Sequence, residues 1–181
     1  MWQLREPKPV KLIIGILAAD SSCQSAAVEH IETEFGTIDL QSDVWPFSQT
    51  EYYKDEIGPN VLRQFVTIEK PIDPGDLAQI KHKTNEMEQQ LAGRLNLTWP
   101  RPVNLDPGII EPSKLVLAST KNFSHRIYIG NRMYAEVTLN FSKGIWKSFE
   151  YTFPDYKQSV YHDFFSKVRS RLLEQLREQC T

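Results

Sequence analysis

The run Lys11 to Ala19, KLIIGILAA, is apolar almost throughout. Side chains of a strand alternate between two faces, so a continuous apolar run of this length reads as a strand covered on both sides at the centre of a sheet. The rest of the chain must supply those covers. Ser21 with Gln24 forms a capping-box pattern, Ala27, Val28, Ile31 and Phe35 recur at helical spacing, and Gly36 closes that helix in a left-handed conformation. A short strand is expected around Asp43 to Phe47, then a polar loop ending at Gly58-Pro59, then a strand near Val61 to Glu69. A second helix follows, with Asp73 as cap, Pro74 in the first turn, a stripe of Leu77, Ile80, Thr84, Met87 and Leu91, and an end before Gly93. His82 falls off that stripe and reads as a surface residue. Arg94 to Arg101 is a proline-bounded connection into the strand Val103 to Ile110.

The order β-α-β-β-α-β is that of a ferredoxin-like split unit, two helices on one face of an antiparallel sheet. Residues 11–110 are assigned to that core, behind an N-terminal tail of residues 1–10. Lys114 to Ala118 is either a further strand or a short helix. A hairpin, Asn122 to Ile129 with Met133 to Phe141, comes next, followed by a strand at Ile145 to Phe153, so residues 113–153 read as strands added to the core. From Ser159, Tyr161, Phe164, Phe165, Val168, Leu172 and Leu176 form the apolar side of a helix over 159–179 that docks on the extended sheet. With no repeat and no long linker, residues 1–181 are expected to form one α+β domain.

The hairpin register follows from its faces. A two-residue Gly-Asn turn mixes apolar and polar side chains on both sides. A three-residue turn at Gly130 to Arg132 instead pairs Ile129 with Met133, Ile127 with Ala135 and His125 with Val137 on an apolar face. The other face then pairs Tyr128 with Tyr134, Arg126 with Glu136 and Ser124 with Thr138. Two readings of that polar face compete. Solvated, it carries an ion pair worth roughly 0.2–1 kcal/mol. Covered, it forms a pocket wall in which Arg126 offers its planar fork to a carboxylate or phosphate. His125, on the apolar face, reads as a satisfied core residue.

Several strings carry a resemblance: SDVWPF at 42–47, NLDPG at 104–108, KLVLASTKNFSHRIYIG at 114–130, YAEVTLNF at 134–141 and YTFPDY at 151–156. Together they resemble the prokaryotic family known as domain of unknown function 4416, from Pro7 to about Phe165. The resemblance implies no particular reaction. Members often carry the label "GTP-binding protein", yet this chain has no G-x-x-x-x-G-K-[ST] loop with which to cradle phosphates.

Other absences narrow the function. G-x-S-x-G and G-x-G-x-x-G are missing, which argues against a serine hydrolase and a dinucleotide enzyme. Cys23 and Cys180 share no ligand spacing with histidines, so no zinc site is implied. The 21 basic and 23 acidic residues leave a net charge of -2, too little for a general electrostatic grip on nucleic acid. The N-terminus does not read as a signal peptide and no stretch reaches membrane-spanning length, which points to the cytoplasm.

The segment 104–141 concentrates chemistry-bearing side chains: Asn104, Asp106, Lys114, Lys121, Ser124, His125, Arg126 and Glu136. No spacing among them matches a mechanistic motif, so whether the chain is an enzyme stays open. The leading reading is a pocket for a phosphorylated small molecule or nucleotide. Lys114, Lys121 and Arg126 would supply positive charge, and Asp106 or Glu136 would hold a sugar hydroxyl or a magnesium ion. Turn chemistry alone favours Asp106 as the cap of an Asp-Pro-Gly turn. The alternative is a non-enzymatic interaction or scaffold protein, using a sheet edge or the aromatic cluster Trp45, Phe47, Tyr52 and Tyr53.

Overall fold

A computed structural model describes residues 3–48 and 55–178. Strand β1 (Lys11–Ala18) is buried along its whole length. Leu12, Ile14, Ile16 and Ala18 pack against helices α1 (Ser21–Phe35) and α2 (Leu77–Leu95). The opposite face, through Ile13, packs with Phe164, Phe165 and Val168 of helix α3 (Ser159–Glu178). Each fully buried aliphatic side chain on this strand contributes roughly 1.5–3 kcal/mol. The apolar run is thus the middle layer of three.

Among the described residues the sheet has nine strands, β2 (Ile38–Gln41), β3 (Trp45–Pro46), β4 (Leu62–Ile68), β5 (Val103–Ile110), β6 (Lys114–Ser119), β7 (Ile127–Gly130), β8 (Met133–Ser142) and β9 (Ile145–Ser148) joining β1. The order is β2-β4-β1-β5-β6-β8-β7, with β3 beside β2 on β4 and β9 beside β7 on β8. All these pairings are antiparallel. The molecule is therefore α+β, with one large antiparallel sheet and three helices among the described residues. None of those helices is long and apolar enough to cross a membrane.

Several sequence expectations change. Asp20, not Ser21, caps α1: its Oδ1 accepts from Cys23 N at 2.8 Å, because an extended residue just before the first turn can aim a carboxylate at the orphan amides. Helix α2 runs past Gly93 and ends at Asn96, whose left-handed φ of 46° supplies the stop. A strand at Ile38–Gln41 precedes the expected one at 43–47, which shrinks to Trp45–Pro46. Lys114–Ser119 resolves as a strand, whereas the expected strand to Phe153 stops at Ser148 and continues as turns and a 3-10 turn at Asp155–Lys157. Tyr52, Tyr53 and Cys180 lie outside the described residues.

Asp20→Ala should cost about 1 kcal/mol, the usual worth of an N-cap. The Cys23 backbone N–H holds the Asp20 carboxyl below the usual carboxylate range. Its stabilisation is therefore present above about pH 4 and is lost as pH falls through the lowered folded value. Denaturant midpoints of wild type and variant should converge on acidification. A difference that persists unchanged at the lowest pH would show that the carboxylate does not carry the cap.

Candidate functional site

Strand β5 pairs with β1 along all eight residues, but with β6 only at Gly108, Ile109 and Ile110. The two strands close up at Gly108, where an added Cβ would lie 2.6 Å from Val116 O. N-terminal to that point they diverge. Leu105 therefore turns to α2 for its backbone partners: its N–H donates to Glu88 Oε1 at 2.7 Å and its carbonyl accepts from Lys81 Nζ at 2.9 Å. Pro107, two residues on, presents the same edge and has no N–H to lose. Asp106-Pro107-Gly108 is thus interior strand, and Asp106 does not cap a turn.

The divergence opens a cavity of about 560 Å³. Lys81 and Asn85 reach it from α2, while Arg63, Asn104, Asp106 and Glu136 come from the face shared with α3. Asp106 accepts from Asn104 Nδ2 at 2.7 Å, and its other oxygen lies 3.7 Å from Lys81 Nζ. Asn104 in turn accepts from Arg101, which is paired with Glu88 at 2.7 Å. Burial pushes the Glu88 carboxyl above the usual carboxylate range, with Lys81 and Arg101 opposing the shift.

Gly15 lies beneath two of the lining side chains, Arg63 and Tyr156. It lies opposite Asp106 on β5 and Phe65 on β4. A Cβ there would sit 2.9 Å from Arg63 Nη1 and 3.1 Å from the Tyr156 hydroxyl. The missing side chain lets the Arg63 guanidinium lie across β1, against the rings of Phe47, Phe65 and Tyr156 at 5.1, 5.3 and 5.7 Å. Arg63 Nη2 donates to Asp155 Oδ2 at 2.7 Å. Its Nε and Nη1, and the Tyr156 hydroxyl, are buried with no hydrogen-bond partner among the described residues. Burial pushes the Tyr156 phenol well above its usual range, so it stays protonated and able to donate. Burial also raises the Asp155 carboxyl, against the pull of Arg63.

The far wall belongs to the hairpin. Ile127 faces Ala135 and Tyr128 faces Tyr134, as the apolar pattern predicts. The turn differs: Asn131 and Arg132 both take positive φ in a two-residue turn, and Ile129 is extruded as a bulge that restores the register. Glu136 is 2% exposed, so this face is covered at Glu136 and Thr138, while Tyr128 at its far end is exposed. Glu136 Oε2 accepts from Arg126 Nε at 2.8 Å and Oε1 accepts from Thr138 at 3.1 Å. His125 does not join the apolar side. Residues 121–126 precede the strand as a turn, and the imidazole swings to within 3.1 Å of Glu136 while stacking on Tyr151 at 4.1 Å.

Asn104, Asp106, Lys121, Arg126 and Glu136 thus line one cavity, and His125 touches it through Glu136. Lys114 and Ser124 do not. Lys114 begins the opposite end of β6 and pairs with Glu111 at 2.7 Å, and Ser124 is exposed in the turn. Sequence reasoning missed Arg63, Lys81, Arg101, Asp155 and Tyr156. Lys81 and Glu88 fall on the buried stripe of α2, a charge pattern that helical spacing could have flagged. Among the described residues no group of three or more His, Cys, Asp or Glu could hold a metal ion.

The model of the family described as "Domain of unknown function (DUF4416)" matches residues 8–172, and the chain belongs to that family. No curated protein and no solved structure matches it.

Glu136→Ala removes the carboxylate that Arg126, His125 and Thr138 share, leaving a guanidinium only 10% exposed without its counter-charge. The expected loss is about 3–5 kcal/mol in denaturant unfolding, as for other broken buried pairs. Glu136→Gln, which keeps one acceptor oxygen for Arg126, should lose less. A loss under about 1 kcal/mol for the alanine variant would match a solvated pair instead.

Proposed function

We propose that this member of the DUF4416 family binds a phosphorylated small molecule or nucleotide in the cavity between β5 and β6, gripping the anionic group with Arg63 and Tyr156. The observation that carries the reading is the pair of unmatched donors over Gly15. Arg63 and Tyr156 both line the cavity, and two buried nitrogens of that permanent cation and the buried phenol have no acceptor among the described residues, each such orphan costing about 1–3 kcal/mol. An oxyanion at the outer edge of the guanidinium would take up Nη1 and the Tyr156 hydroxyl, which both approach Gly15, and phosphate suits a guanidinium held rigid by aromatic faces. Arg126 and Lys121, at the far wall, add positive charge for a longer ligand.

The volume fits, since small-molecule sites usually enclose about 300–1,000 Å³. The two oxygens of Glu136 are already occupied, which makes it a positioning group for Arg126. Asp106 is the lining carboxylate among the described residues that is not paired with an arginine, so a magnesium ion would draw most of its ligands from the bound phosphates. The strand order β2-β4-β1-β5, with α1 and α2 on one face, supports a ferredoxin-like unit over residues 11–110. The cavity then lies at the seam where the added strands join it.

The scaffold reading draws on a different observation. Ile127 and Tyr128 are 70% and 58% exposed on β7, the last strand of the sheet. The aromatic cluster offers it less, because Trp45 packs on Tyr161 at 4.8 Å and Phe47 is buried.

A thermal-shift panel of nucleotides and sugar phosphates, with and without magnesium, tests the proposal. At 100 times its dissociation constant a ligand should stabilise wild type by about 2.7 kcal/mol. Arg63→Lys keeps a cation beside Asp155 but removes the spare N–H groups, and should weaken binding about tenfold or more. A panel with no shift, or equal shifts in both proteins, would end the anion reading and favour the exposed edge.

A further inference from the structure

Resting on the anion-binding reading, we infer that the same site also reads a hydroxyl close to the phosphate, through the pair Asp106 and Lys81. The ligand class is a compact hydroxylated phosphate ester, and the site discriminates against its deoxy analogue.

The inference starts from register. Asp106 faces Gly15 across the β1–β5 pairing, and Arg63 Nη1 lies over Gly15. Neighbouring strands stand about 4.8 Å apart. An oxyanion held by Arg63 and Tyr156 therefore places the next few atoms of its ligand beside Asp106. The Asp106 carboxylate is 29% exposed, and its Oδ1 is 3.7 Å from Lys81 Nζ. That separation is too long for a hydrogen bond. A hydroxyl set between the two can donate to the carboxylate and accept from the ammonium, a match that uses both of its capacities.

Other groups fit less well. A ligand ammonium would pair with Asp106 but meet Lys81 as a like charge, and Lys81 is fixed by its bond to Leu105 O. A methylene would leave the carboxylate facing apolar surface. The second anchor on Asp106, the Asn104 amide at 2.7 Å, is itself held by Arg101, so the carboxylate is oriented before any ligand enters. Such preorganisation is what lets a site penalise a missing hydroxyl rather than adapt to it.

Calorimetric titration of the full chain with inorganic phosphate, glycerol 3-phosphate and propyl phosphate tests this. The two esters share a phosphate and a three-carbon chain and differ in their hydroxyls. Glycerol 3-phosphate should bind about tenfold or more tightly than propyl phosphate, the factor carried by one charge-assisted hydrogen bond. Asp106→Asn should shrink that ratio while inorganic phosphate binds at least as well as before. Should the variant not fold, the wild-type ratio still decides. Equal or tighter binding of propyl phosphate overturns the hydroxyl inference and leaves the anion reading standing. If none of the three probes binds, inorganic phosphate included, both fall together.

Discussion

A strand inside a sheet has one place to satisfy its backbone, the ladder on either side, and at Leu105 one of those ladders is missing. The substitutes are side chains of α2: Lys81 donates to the Leu105 carbonyl and Glu88 accepts its N–H. Leaving both groups unpaired would cost several kcal/mol at about 1–3 each. This replacement lets β6 depart from β5 and still leaves β5 a buried strand. The cavity exists because that bargain holds. It also fixes which residues can line it, since Lys81 must cross from the helical layer to reach the carbonyl.

Bringing a lysine and a glutamate into that position creates a charge problem, and the surrounding residues resolve it pair by pair. Glu88 also meets Arg101, Lys81 approaches Asp106, Arg63 meets Asp155, and Arg126 meets Glu136. Desolvating a charge is costly unless it is paired and hydrogen-bonded, so this matching is a condition for folding. The exception is partial: Arg63 has one nitrogen on Asp155 and two with no hydrogen-bond partner among the described residues. Aromatic faces on Phe47, Phe65 and Tyr156 compensate some of that deficit. They cannot supply a hydrogen bond, and the unspent donors give the site its chemical direction.

The layered α+β architecture was legible from the apolar run of β1 and the helical stripes, because burial on both faces and amphipathic spacing leave local signatures. The hairpin pairing at Ile127 and Tyr128 was legible for the same reason, although the turn was not. Asn131 and Arg132 adopt positive φ, and the extra residue is absorbed as a bulge at Ile129, an exchange that face patterns do not distinguish. Five of the polar candidates in the segment that charge among apolar strands marks out do line the cavity: Asn104, Asp106, Lys121, Arg126 and Glu136. Arg63, Lys81, Arg101, Asp155 and Tyr156 lie outside that segment, and what unites them is the divergence of β5 from β6. That divergence depends on Lys81 and Glu88 of the preceding helix replacing a ladder, which no strand pattern shows, and Asp106-Pro107-Gly108 looks locally like a turn. His125 was misplaced because its residues were read as strand, and a turn obeys no alternation.

Asp155 and Tyr156 enter from the segment between β9 and α3, so Arg63 ties three parts of the chain to one point. Its side chain starts on β4, crosses β1 over Gly15, and receives Asp155 from the 3-10 turn that leads into α3. Thr152 reinforces the same segment by donating to Thr138 O at 2.7 Å on β8, next to the Glu136 wall. Asp155 depends for its charge balance on this one guanidinium, and with it so does the approach to α3. The 3-10 turn, β4 and β1 are therefore held together at one buried guanidinium, whose path over position 15 a side chain there would crowd.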